Sequence, residues 1–166
     1  MGDPRRFDLF SDFVAKNFRC DVPVVEVASG NGKLHGALKR RGFSDLVGFD
    51  KRRRNAGPRR IFRYGHFDCR NAERGYGLVV GMHPDQGTDH IIGYAGKHRV
   101  PFVVCPCCVL PSAFPYQGYR YEHWIEHLVR LAEGFKMKVE ISRLPMTGRN
   151  IVITGWPDRG VSAMAA

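Results

Sequence analysis

Four short stretches of this 166-residue sequence place side chains able to do chemistry where the chain turns. Glu26-Val27-Ala28-Ser29-Gly30-Asn31-Gly32 sets an acid ahead of a Gly-x-Gly turn, and Asp50 closes a second apolar run that starts at Leu46. His83 and Asp85 flank Pro84 and bring together two groups that can accept a proton. Cys105-Pro106-Cys107-Cys108 gathers three of the five cysteines. Cys107 and Cys108 suit a pocket wall, a nucleophile or plain packing, and packing is the ordinary fate of buried cysteine. They sit too close together to furnish the usual zinc tetrahedron. A further motif, His123-Trp124-Ile125-Glu126-His127, matches the H-x-x-E-H pattern of some zinc proteases. Trp124, Leu128 and Leu131 commit that helix to packing, no second helix offers a third ligand, and we expect no metal.

The glycine turn also excludes one ligand class. A dinucleotide site needs a third glycine at position 35, where this chain has His35. In doubly wound sheets the ligand lies beyond the carboxyl ends of the strands, which makes the turn after the first strand the expected binding place.

The elements that must position these residues follow from periodicity. Asp3-Pro4 reads as a helix start, with Phe7, Phe10, Phe13 and Val14 on one face. Val22–Ala28, Leu46–Asp50, Ile61–Tyr64, Gly77–Met82 and Pro101–Cys105 read as strands, the third as an edge strand because of Arg63. Helices are expected over Leu34 and Leu38 up to a stop at Gly42, from about Thr88 to His98 and from Tyr119 to Glu133. Phe135–Leu144 and Asn150–Trp156 read as an antiparallel pair around a Pro145–Arg149 turn. The fold class is therefore α/β, a mainly parallel doubly wound sheet with one antiparallel strand. We read residues 1–166 as one domain, with a leading helix in 1–18, a core over 19–156 and a tail over 157–166.

Charge points to the partner. Lys and Arg outnumber Asp and Glu by 26 to 16, a net of +10, which favours a polyanion such as RNA or a ribonucleoprotein. Lys51, Arg52, Arg53, Arg54, Arg59, Arg60 and Arg63 fall in one segment without an acid. Such a run suits nucleic-acid contact, a solvated loop or a nuclear-import signal. No apolar run reaches the roughly 20 residues of a membrane helix. The acids Asp3, Asp8 and Asp12 argue against a targeting peptide, and the crowded cysteines against a disulfide framework, so an intracellular setting is expected.

Glu26 with Gly30 and Gly32 resembles the first motif of class I methyltransferases. The pair His83-Pro84-Asp85 and Pro106-Cys107-Cys108 resembles the fourth and fifth motifs of a methyltransferase-like group that includes tRNA ribose methyltransferases. The likeness spans about Val22 to Thr154 and lacks that group's zinc domains and its cysteine in the fourth motif. It implies S-adenosylmethionine as cofactor, with Glu26 facing the ammonium group, Ser29, Gly30 and Gly32 forming the turn, Asp50 on the ribose and Asp68 on the adenine amino group. It implies methyl transfer, for which His83 and Asp85 are the candidate proton acceptors, although Asp85 equally suits a helix cap. Phe114 and Tyr116 suit stacking on a base or covering the core, and Arg149 and Asn150 suit substrate binding or finishing a turn. Two alternatives stand beside an RNA methyltransferase. One is an inactive RNA-binding or assembly module; the other is an enzyme acting on a small molecule or protein. The short chain leaves room for a protein partner in substrate recognition.

Overall fold

Runs rich in Val, Ile, Leu and Phe favour the pleated, half-buried surface of a sheet, and runs apolar on both faces favour its centre. Among the described residues seven strands form: β1 (Val24–Val27), β2 (Leu46–Asp50), β3 (Phe62–Tyr64), β4 (Leu78–Met82), β5 (Phe102–Cys105), β6 (Met137–Arg143) and β7 (Ile151–Pro157). The computed structural model describes residues 2–52, 61–73, 75–107 and 120–158. Arg53, Arg54, Arg59, Arg60, Cys108, Phe114 and Tyr116 lie outside the described residues, as does most of the expected tail.

The strands form one sheet in the order β3-β2-β1-β4-β5-β7-β6. The first five run parallel, and β7 pairs antiparallel with β5 and β6, as the alternating pattern predicts. Every residue of β1, β4 and β5 is buried, whereas β3 lies at the edge with Arg63 and Tyr64 exposed.

Among the described residues four α-helices cover the sheet: α1 (Arg6–Asn17), α2 (Lys33–Arg40), α3 (Thr88–His98) and α4 (Tyr121–Gly134). Successive strand residues point to opposite faces, so the sheet has two cores. One joins Phe10 and Val14 of α1 and Leu34 and Leu38 of α2 to Val24, Leu78, Val80 and Val103. The other joins Ile91 and Tyr94 of α3 and Trp124 and Leu128 of α4 to Val25, Val79, Phe102 and Ile153. Among the described residues no helix is long and apolar enough to cross a membrane.

Boundaries shift by small amounts from those the sequence suggests. The first helix starts at Arg6, because the Asp3 carboxylate accepts the Arg5 amide at 2.9 Å and the Thr147 amide at 3.2 Å, tying this end to the β6–β7 turn. The last strand reaches Pro157, one residue into the expected tail.

A close approach fixes the reversed strand. Gly155 pairs with Phe102, and a Cβ there would lie 2.1 Å from the buried Phe102 ring. Gly155→Ala is therefore expected to cost about 1–3 kcal/mol by overpacking. Urea unfolding should show a lower midpoint with unchanged slope; an unchanged midpoint would mean that β7 is placed wrongly.

Candidate active site at the carboxyl ends of the parallel strands

β1 has β2 on one side and β4 on the other, so strand order reverses at the end of β1, where a ligand cleft opens. The chain leaves β1 through three residues of positive φ: Ala28 at 60°, Gly30 at 53° and Gly32 at 77°. Glycine takes this conformation without steric cost, which explains two of the three residues. The Gly30 amide donates to Asp50 Oδ2 at 2.8 Å, and Asp50 Oδ1 accepts the Arg52 amide at 2.8 Å. A Cβ on Gly48 would come within 2.9 Å of Ser29 Cβ and the Phe62 ring, so this glycine lets the turn lie against β2. The sequence reading missed Gly48, whose only signal was a glycine inside a strand run.

Glu26 is 2% exposed, and its Oε2 has no hydrogen-bond partner among the described residues. The imidazole of His35 lies opposite, Nδ1 at 3.6 Å, beyond hydrogen-bond length, and neither ring nitrogen makes a hydrogen bond among the described residues. Burial pushes the Glu26 carboxyl up; His35 opposes this and Asp50 adds to it. Arg6, Lys33, Met82 and His83 share with Glu26 a cleft of about 230 Å³. An unsatisfied buried carboxyl oxygen beside a cleft suits a ligand that brings a donor or a cation.

On the far side of the turn a second cleft is lined by Val27, Phe49, Asp50, Phe67, Gln86 and His90. Asp68 does not line it. Its carboxylate grips the Arg70 guanidinium at 2.7 Å, and this pair holds the acid well below the usual carboxylate range. Asp68, Cys69 and His90 bring three potential metal-ligand atoms within 4.8 Å of one another. Arg70 already neutralises Asp68, and His90 Nδ1 accepts the Cys69 amide at 3.4 Å, so a cation would have to displace both partners.

The end of β4 carries the second set of reactive groups. His83 and Asp85 both take positive φ, 55° and 48°. Such strain in non-glycine residues costs on the order of 1–3 kcal/mol and clusters at functional sites. His83 Nε2 lies 3.0 Å from the Arg149 carbonyl. A carbonyl only accepts, so Nε2 carries the proton and Nδ1 of the neutral ring keeps its lone pair. Burial pushes the His83 pKa down, the Arg149 carbonyl opposes this, and Arg6 lowers it further. The Asp85 carboxylate accepts the Cys107 thiol at 3.0 Å. α3 takes Gly87 as its N-cap, so Asp85 is not the helix cap that its position also suggested.

Tyr121, which the sequence reading missed, ties these parts together. Its hydroxyl donates to the Pro106 carbonyl at 2.8 Å, and the Arg149 guanidinium lies 3.9 Å above its ring. Asn150 donates to the Leu144 and Met146 carbonyls, which gives it the turn-finishing role. Lys51 and Arg52 are exposed at the rim; Lys51 Nζ reaches Gln86 at 3.1 Å. The H-x-x-E-H helix is α4, where Trp124 is buried and stacks on His127.

No family model matches the sequence. The probable tRNA (uracil-O(2)-)-methyltransferase of Caenorhabditis elegans is 27% identical over 82% of this chain, and the chain spans 28% of that relative's length. Among solved structures, a putative S-adenosylmethionine-dependent methyltransferase from Methanococcus maripaludis superposes with a TM-score of 0.62 at 10% identity, covering 91% of this chain and 84% of its own. DesVI of Streptomyces venezuelae gives 0.59 at 14% identity over 93% of each chain. A fibrillarin/Nop5p complex gives 0.60 at 12% identity, over 90% and 82%. The fold is that of the class I S-adenosylmethionine-dependent methyltransferases, as the motif resemblance implied.

The neutral His83 carries a pH consequence. With its pKa depressed below the ordinary 6.5, the unfolded chain binds more protons just below that value. Stability is expected to fall as pH drops through about 6.5 toward the folded pKa. His83→Gln should flatten this part of the pH–stability curve in urea titrations, and an equal slope in both proteins would place the His83 pKa at its ordinary value.

Proposed function

We propose that the chain binds S-adenosylmethionine in the cleft beyond β1 and transfers its methyl group to RNA. The observation that carries this reading is the glycine turn pinned by Asp50 beside the buried Glu26 Oε2, which accepts no hydrogen bond among the described residues. Glu26 would hold the cofactor's ammonium group, and Ser29, Gly30 and Gly32 would approach it with backbone. Asp50 keeps further lone pairs toward the cleft and would take the ribose hydroxyls. Asp68 would reach the adenine amino group only by loosening its Arg70 pair. When bound, the cofactor supplies an electrophilic methyl carbon.

The remaining work falls to the chain's own groups. His83 Nδ1 would take the proton of an acceptor hydroxyl, a role worth about 10²–10⁴-fold in rate. Asp85, held by Cys107, would stand beside it. Cys107, Cys108 and Arg149 would wall the acceptor side, where Phe114 and Tyr116 would meet the base. The net charge of +10 and the exposed Lys51 and Arg52 support an RNA substrate, with the arginines of the following segment adding to them in sequence. The curated relative's name gives tRNA as its substrate and an oxygen as its acceptor, which supports the same reading.

Calorimetry with S-adenosylmethionine and its demethylated product tests the cofactor half. Asp50→Ala should weaken binding about tenfold or more, the loss expected for a charged hydrogen-bonding group. Unchanged affinity would move the pocket elsewhere, and no binding by the wild-type protein would overturn the reading. For the transfer half, His83→Gln should lower methyl incorporation into total RNA by about 10²-fold or more while leaving cofactor affinity intact. Equal incorporation would remove His83 from the chemistry.

A further inference from the structure

Strand β3 ends on an aromatic ring that the fold leaves uncovered. Phe62 and Tyr64 share one face of the strand by alternation, and Phe62 packs on His35 of α2 with ring centroids 4.7 Å apart. Tyr64, two residues on, is 71% exposed. Arg63 points the other way, toward Phe49 and Glu73. In the parallel register Tyr64 stands opposite Asp50, which puts the residue at the carboxyl edge of the sheet, the edge that holds the candidate cofactor site. Lys51 and Arg52, both exposed, follow Asp50 directly. An edge strand tolerates an exposed tyrosine, yet an aromatic at the ligand edge, next to two exposed cations and on a chain of net charge +10, has the character of a stacking platform.

We propose that Tyr64 stacks on an unpaired nucleotide of the RNA substrate while Lys51 and Arg52 contact the adjoining phosphates. The inference rests on the RNA reading above and adds a substrate form, a single-stranded or looped segment. Base faces are accessible there and hidden in an A-form duplex. Charge complementarity selects this occupant over a protein partner, for which an isolated ring on a basic rim offers little apolar area. Stacking contributes a contact that salt does not screen, whereas the lysine and arginine contribute a salt-dependent one, so the two parts can be separated by experiment.

The test measures binding of a fluorescein-labelled single-stranded RNA of about twelve nucleotides, and of the matching duplex, across a series of salt concentrations. Tyr64→Ala should weaken single-strand binding about tenfold with an unchanged salt slope, and leave duplex binding as it was. Tyr64→Phe should stay within about twofold of wild type, because the ring and its stacking remain. Because Tyr64 is exposed, the urea midpoint of either variant should match wild type. Wild-type single-strand affinity in Tyr64→Ala, or equal losses on both RNAs, would overturn the stacking role while leaving the RNA reading intact. A wild-type protein that binds neither RNA would overturn the RNA reading itself, and the stacking role with it.

Discussion

The hydrogen bond from the Gly30 amide to Asp50 joins the exit of β1 to the end of β2, and the rest of the site depends on that join. With the Ser29 amide, which donates to the Phe49 carbonyl at 2.9 Å, it holds the turn against the neighbouring strand while Ala28 keeps a left-handed conformation that a free chain seldom adopts. A charged acceptor makes such a bond worth about 1.5–3 kcal/mol, enough to offset the strain of one or two positive-φ residues. The bond is possible because Gly48 removes a side chain from the face of β2 where Ser29 must lie. It also brings a carboxylate to the point in the sheet where strand order reverses. Glycine content, strand register and the acid at position 50 therefore express one geometric requirement.

The reactive end of β4 is held by a different network that converges from far along the sequence. The Arg149 carbonyl, in the β6–β7 turn, fixes the tautomer of His83. Tyr121, at the start of α4, anchors both the Arg149 side chain and the exit of β5. The antiparallel hairpin thus does more than extend the sheet, since its turn returns to the parallel strands and orients their reactive imidazole. Asp3, bonded to the Thr147 amide, ties α1 to the same turn. A neutral, oriented imidazole in a half-buried position is suited to taking a proton near neutral pH.

Much of this was legible in the sequence, for identifiable reasons. The strands β1, β4 and β5 are apolar runs with no competing helical period, and the sheet buries them on both faces. Gly30, Gly32 and Asp50 were legible because turn geometry restricts residue type. The placement of His35 opposite Glu26 was not, since it depends on α2 placing a ring beneath β1. In sequence His35 stands out only as the residue where a third glycine is missing; packing sets its place opposite the buried carboxyl. Tyr121 was hidden because its two contacts lie 15 residues away in sequence, at Pro106, and further along the chain at Arg149. Asp68 looked free in sequence, yet Arg70 two residues later claims its carboxylate. The cap reading of Asp85 gave way because Gly87 takes the N-cap of α3, a choice that propensity alone does not make.

On the proposed function, the turn held by Asp50 is where the cofactor binds. Amide NMR of the labelled protein during titration with S-adenosylhomocysteine tests it most directly, because each backbone amide reports its own surroundings. Saturable shifts are expected at Gly30, Gly32 and the amides following Asp50, with β6 at the far edge of the sheet unmoved. Shifts confined to β6 and α4, or none at saturating ligand, would contradict it.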